Sequence, residues 1–162
     1  MPEPSASDPV EIERKFLVVG QEWRVDSHAE AISQGYLPTG DDCSVRVRIR
    51  ADEAFLTIKG PSCGGVRAEF EYPIPVNNAA LMLRQFCAGR MIAKRRHSLR
   101  FGGRIWTVDE FEGPLAGLLM AEVELDHVGQ SVALPPWLGR EVTEDPRYLN
   151  SALATATAVP DF

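Results

Sequence analysis

The sequence predicts an α+β domain built on eight antiparallel strands, enough to close a small β-barrel, with a few peripheral helices. Three observations carry that expectation. Short stretches alternate charged and apolar side chains with a period of two, glycine-rich turns separate several of them, and only two segments have helical spacing.

The first strand is placed at 10–18, Val10-Glu-Ile-Glu-Arg-Lys-Phe-Leu-Val18. Side chains of a strand point alternately to its two faces, so Glu11, Glu13 and Lys15 project together while Ile12 and Phe16 point the other way. A second strand at 29–37 ends in Gln34-Gly-Tyr-Leu37, and a third at 43–51 sets Arg46, Arg48 and Arg50 against Val45, Val47 and Ile49. The fourth, 54–60, contributes Lys59, and Gly60 to Gly65 marks the turn that follows. The fifth, 67–74, sets Glu69 and Glu71 against Ala68, Phe70 and Tyr72. An amphipathic helix follows at 76–87, with asparagine at its start and Gly89 just beyond its end.

The sixth strand, 90–101, alternates Lys94 and Arg96, and Gly102-Gly103 turns it into the seventh, 104–112. That strand supplies Asp109, whose facing the adjacent Glu110 leaves open. The eighth, 117–127, carries Glu122 and Glu124. A second helix is expected over 144–157, entered through Asp145-Pro146. Residues 1–9 read as a disordered or extended N-terminal segment, 10–153 as one domain, and 154–162 as a tail that frays.

Composition narrows the function classes. At 162 residues, 44% hydrophobic and 25% charged, the chain can bury a core without disulfides or a structural metal. A net charge of −6 argues against general nucleic-acid binding, although a basic interior is compatible with an acidic exterior. Three cysteines without CxxC spacing point to a reducing compartment. The N-terminus lacks a basic start and an apolar core, and no apolar run approaches spanning length, so a cytoplasmic location is expected. Scattered His28, His97 and His127 have no zinc-ligand spacing, and Trp23, Trp106 and Trp137 read as packing residues.

An ordinary antiparallel sheet with one wet face also alternates in this way. These strands differ by carrying acidic pairs on some and basic pairs on others, with few neutral polar residues between. Arginines repeated on one face repel unless anions lie opposite, and a curled or closed sheet would bring the two sets face to face. Two carboxylates about 7 Å apart on one strand face suit a divalent cation, and neighbouring cations suit a phosphate that the cation also touches. The candidate inward groups are seven acids (Glu11, Glu13, Glu69, Glu71, Asp109, Glu122, Glu124) and seven bases (Lys15, Arg46, Arg48, Arg50, Lys59, Lys94, Arg96).

In that order, the ExExK of Glu11, Glu13 and Lys15, the RxR of Arg46 and Arg48, Lys59, the ExE of Glu69 and Glu71, the KxR of Lys94 and Arg96, and the ExE of Glu122 and Glu124 resemble the CYTH superfamily of triphosphate tunnel metalloenzymes. The ordered series spans about residues 9 to 153, and Gln34-Gly-Tyr-Leu37 with Glu141-Val-Thr143 and Asn150 resembles its compact bacterial members. The resemblance implies an eight-stranded antiparallel barrel whose polar tunnel holds a triphosphate and a divalent metal, Mg²⁺ or Mn²⁺. It implies metal ligation by Glu11, Glu13, Glu122, Glu124 and Asp109, and phosphate binding by Lys15, Arg46, Arg48, Lys59 and Arg96. Glu69 and Glu71 are supporting carboxylates, and Lys94 and Tyr36 are the candidates for orienting or deprotonating water.

The implied activity is hydrolysis of a triphosphate compound, with inorganic triphosphate first. A class IV-type adenylate cyclase, a thiamine triphosphatase and a non-catalytic polyphosphate or nucleotide sensor stay open. The expected partner is a triphosphate-containing small molecule, with neither membrane nor general nucleic-acid binding, and a homodimer is admitted.

Overall fold

The computed structural model describes residues 9–25, 27–40 and 42–161. Its strands are β1 (Val10–Val18), β2 (His28–Leu37), β3 (Ser44–Arg50), β4 (Glu53–Lys59), β5 (Val66–Pro73), β6 (Met91–Phe101), β7 (Arg104–Phe111), β8 (Leu119–Glu124) and β9 (Leu138–Glu141). Two helices accompany them, α1 (Val76–Phe86) and α2 (Asn150–Leu153). The sheet runs β5-β4-β3-β2-β6-β7-β8-β1, and a further β5–β1 pairing closes it into the expected eight-stranded antiparallel barrel. Closure divides β1 between neighbours. Val10–Ile12 pair with β5 on one edge, Glu13–Leu17 with β8 on the other, and β9 takes over the first edge at Phe16 and Val18.

Register fixes which charges meet, because residues directly opposite in antiparallel strands share a face. Glu11 lies opposite Arg67, Lys15 opposite Glu122, Glu122 opposite Thr107, Arg96 opposite Asp109, Gln34 opposite Arg48, and Lys59 opposite Glu69. Asp109 therefore faces inward with Arg96, and Glu110 faces out to Arg24 and His97. The two-residue Gly102-Gly103 loop has both φ angles positive, 57° and 79°, as the tightest hairpins require.

One end of the barrel is filled. Leu17, Tyr36, Ile92, Phe111 and Met120 of the strands meet Val142, Tyr148, Leu153 and Ala154 of the C-terminal segment in one buried apolar cluster. A second cluster packs outside the barrel, where Phe16, Trp106, Val108, Ala121 and Val123 meet Trp23 and Trp137. The three tryptophans thus pack as expected. α1 covers β2, β3 and β4 through Ala79, Leu83 and Cys87, and Gly35 admits it, since a Cβ there would stand 2.6 Å from that of Cys87.

The C-terminal third differs from expectation. In place of a helix over 144–157 there is a 3-10 turn at Pro146–Tyr148, an extended Leu149 (φ −66°, ψ 134°), and the single turn of α2. The break aims Tyr148 and Leu153 at the same barrel end. Residues 154–161 do not trail away either: Ala154 is buried, and Ala156 and Val159 pack on the filled end. β9 was not anticipated, because Leu138-Gly-Arg-Glu141 is too short to show a period and owes its shape to the free edge of β1. Apart from Pro9, whose carbonyl accepts from the Glu69 amide at 2.9 Å, the expectation for residues 1–9 falls outside the described residues. Among the described residues no helix is long and apolar enough to cross a membrane.

Candidate active site

Inside the barrel, beside the filled end, lies a cavity of about 620 Å³. Its walls include Glu11, Glu13, Lys15, Arg46, Arg48, Lys59, Glu69, Glu71, Arg96, Glu122 and Glu124, all singled out from the strand alternation, together with Tyr36, a candidate through the family resemblance. Asn150 and Ser151 at the start of α2 face it from the filled end. Two anticipated residues are not on its surface. Lys94 and Asp109 point inward but are enclosed in the wall, each 1% exposed.

Nearly every cation here is matched to an acid. Lys15 Nζ lies 2.5 Å from Glu122 and 2.9 Å from Glu13, and Lys59 Nζ lies 2.5 Å from Glu11 and 3.3 Å from Glu69. Arg46 donates to Glu71 at 3.2 Å and to Thr57 at 3.1 Å. Arg96 grips Asp109 with Nε at 2.7 Å and Nη2 at 2.8 Å, and reaches Glu122 at 2.8 Å. Burial opposes charge on Glu11, but Lys59, Arg67 and Lys15 outweigh it and hold its carboxyl down at about 2. Burial likewise opposes charge on Lys15 and Arg96, and their carboxylate partners overcome it and raise both above their ordinary values.

Three groups depart from that balance. Arg48 has no carboxylate within ion-pair distance among the described residues. Its Nε donates to the Gln34 amide oxygen at 3.0 Å, and burial, with Arg46 and Arg96 nearby, pushes its pKa down to about 10. Lys94 is also pushed down by burial, to about 7, with Asp109 at 2.5 Å resisting and Arg96 and Arg48 adding to the fall. Glu124 forms no ion pair with a described residue, and burial together with Glu11, Glu13 and Glu122 raises its pKa.

Arg67 went unrecognised as a site residue. It donates to Glu11 at 3.1 Å and to Glu13 at 3.2 Å, and its signal was its phase with Glu69 and Glu71, two and four residues on. Gln34 was likewise missed, although it is in phase with Tyr36. The half-buried Arg14 pairs outside the barrel with Glu141 at 2.7 Å, as its opposite phase predicts.

Among the described residues no three carboxylate, histidine or cysteine groups are already gathered for a metal, because lysines and arginines stand between them. The donor set still suits a hard divalent cation. It consists of carboxylate oxygens alone, and the unpaired, charge-crowded Glu124 beside Glu11 and Glu13 gains most from a cation's arrival. Glu122 adjoins them from β8, whereas both oxygens of Asp109 are taken by Lys94 and Arg96.

Removing one partner of a buried ion pair strands the other, at a cost of about 3–5 kcal/mol. Asp109→Asn is expected to lose about that much at pH 6, because it strands the buried Arg96 guanidinium and takes from Lys94 the partner that favours its charged form. In wild type, between pH 7 and about 10.5 the unfolded chain keeps a proton on Lys94 that the folded protein sheds, so stability rises with pH there; in the variant the rise starts at lower pH, since Asp109 no longer holds the Lys94 proton. Urea unfolding at pH 6 and pH 9 checks both the size and the direction.

Comparison with known proteins agrees with this architecture. The model of the CYTH domain family matches residues 9–157. An inorganic triphosphatase of Acetivibrio thermocellus is 46% identical over 143 residues, covering 88% of this chain and 92% of that protein. The inorganic triphosphatase of Nitrosomonas europaea is 42% identical over 149 residues, covering 89% and 96%. The crystal structure of the inorganic triphosphatase NE1496 superposes with a TM-score of 0.69 at 37% identity, covering 91% of this chain and 96% of that one. With the family's charge series on the inner face of a closed barrel, the chain belongs to the CYTH family of triphosphate tunnel metalloenzymes.

Proposed function

We propose that this protein hydrolyses inorganic triphosphate in the barrel cavity with the help of Mg²⁺ or Mn²⁺. The observation that carries the reading is the lining. Cations from several strands converge on one enclosed space, and Tyr36 is the one aromatic on its surface among the described residues. A nucleobase or thiazole ring would want an apolar or stacking platform, and the three tryptophans are committed outside the barrel. A phosphate chain needs none.

In this reading Arg48, lacking a carboxylate, takes the anion first, and Lys15, Arg46, Lys59 and Arg96 turn from their acids toward phosphate oxygens. Glu11, Glu13, Glu122 and Glu124 would hold the divalent ions. Bound metal supplies positive charge against the charge that develops on the phosphoryl oxygens. Asp109 serves instead to fix Lys94 and Arg96. Lys94 is the base: its amine sits one hydrogen bond behind the cavity surface, donating to Asn150 at 3.0 Å, and it is neutral above about pH 7. Tyr36, whose pKa burial raises, acts as a hydrogen-bond donor and does not take the proton.

A panel of tripolyphosphate, ATP and thiamine triphosphate, with cyclic AMP assayed in parallel, tests the reaction. Phosphate release is expected fastest from tripolyphosphate, abolished by chelator, and accompanied by no change in circular dichroism. Turnover of an organic triphosphate in preference, or unfolding on chelation, would contradict the assignment. The rate is expected to rise through about pH 7 and stay high in alkali as Lys94 loses its proton. Lys94→Arg keeps the charge but cannot act as a base, so kcat should fall roughly 10²-fold or more and the rise near neutrality should vanish. An unchanged rate and profile would leave Lys94 without the proton-transfer role.

A further inference from the structure

The side chain of Gln34 is completely enclosed in the barrel wall, 0% exposed. It stands in register opposite Arg48 across the β2–β3 pairing. Both ends of its amide are used, one toward Arg48 Nε at 3.0 Å and the other toward the Tyr36 hydroxyl at 3.1 Å. Chemistry fixes which end is which. A guanidinium Nε can only donate, so the amide oxygen must face Arg48, and the amide nitrogen is left to donate to the Tyr36 oxygen. The Tyr36 oxygen is thereby an acceptor within the wall, and its hydrogen is free to turn elsewhere; Tyr36 lines the cavity.

We infer that Gln34 is a positioning residue for anion capture: it holds the Arg48 guanidinium toward the cavity without neutralising it, and turns the Tyr36 hydroxyl hydrogen toward the same space. The inference rests on the triphosphate reading for the identity of the anion. Its core is a choice of charge. Lys15, Arg46, Lys59, Arg67 and Arg96 are all held by carboxylates, which an incoming phosphate must displace. Arg48, with no carboxylate partner among the described residues, is oriented by a neutral acceptor, so its positive charge stays available. Glutamate has the same length and shape as glutamine, and at this position it would close the last ion pair and remove that charge from the anion's reach. An unheld Arg48 would instead have to be ordered at the moment of binding.

The test is calorimetric titration of tripolyphosphate in Mg²⁺ into wild type, Gln34→Glu, Gln34→Met, Arg48→Met and the double variant Gln34→Met/Arg48→Met, with melting temperatures recorded. Gln34→Glu is expected to weaken binding at least tenfold without lowering the melting temperature, a split that a merely structural glutamine would not give. Gln34→Met is expected to weaken binding several-fold in wild type and by less than twofold once Arg48 is already methionine. Should Gln34→Glu fail to fold, the Gln34→Met cycle decides alone. Affinities within twofold of wild type, or losses that simply add in the double variant, overturn the inference. Phosphate release from the same wild-type sample tests the hydrolase reading separately. Binding that splits as expected without turnover would remove the hydrolase and keep the role of Gln34, and wild type that binds no tripolyphosphate would overturn both.

Discussion

Mutual compensation of charge inside a closed sheet is the constraint on which the rest of this structure depends. Burying a lysine, arginine or carboxylate without a partner costs several kcal/mol by general estimates. This barrel places many of them on one inner face, and that is tolerable because closure sets acids of β1, β5 and β8 against bases of β1, β3, β4 and β6. The pairing of β5 with β1 is the step that completes the match, since Arg67 meets Glu11 and Glu13 only there. A flat sheet with the same register would keep the neighbouring-strand pairs Lys15–Glu122, Arg96–Asp109 and Lys59–Glu69, but would part Arg67 and Lys59 from Glu11.

Stability is drawn from elsewhere, which frees the interior for a ligand. The tryptophan cluster on the outside, the packing beneath α1 and the filled barrel end supply three apolar cores, of which the filled end borders the charged zone through Tyr36. The filled end also gives the site its direction. Asn150 and Ser151 face the cavity from that end, and the polar wall begins where Leu17, Ile92 and Met120 give way to Lys15, Lys94 and Glu122 one strand period further along. Among the described residues Arg48 is left without an acid and Glu124 without a base, and these groups have most to gain from an anion and a cation respectively.

Much of this was legible in the sequence, because a period of two reports directly which side chains share a face. Glu11, Glu13, Lys15, Arg46, Arg48, Lys59, Glu69, Glu71, Glu122 and Glu124 could be assigned to one surface from alternation alone, and the structure brings them to one cavity. Alternation does not tell depth. Lys94 and Asp109 share that phase, yet they are sealed in the wall, where Asn150 of the filled end meets Lys94 and Arg96 grips Asp109. Nor does it weigh neutral residues, so Gln34 and Thr57, which bond the arginines, gave no signal of their own. The C-terminal segment was misread for a different reason: its helical spacing is real over one turn only, and the demand that Tyr148 and Leu153 reach the barrel end overrides propensity in the rest.

The central claim is that a nearly compensated interior accepts triphosphate and divalent cation as one neutralised unit and takes neither well alone. Linkage makes this measurable, since each ligand must then strengthen the other by the same factor. Titration calorimetry of tripolyphosphate across a series of Mg²⁺ concentrations, corrected for the Mg²⁺–triphosphate complex formed in solution, tests it most directly. The account predicts that affinity rises roughly tenfold or more from metal-free to saturating Mg²⁺, which corresponds to about 1.4 kcal/mol of coupling or more. An affinity that does not change with Mg²⁺ would contradict it.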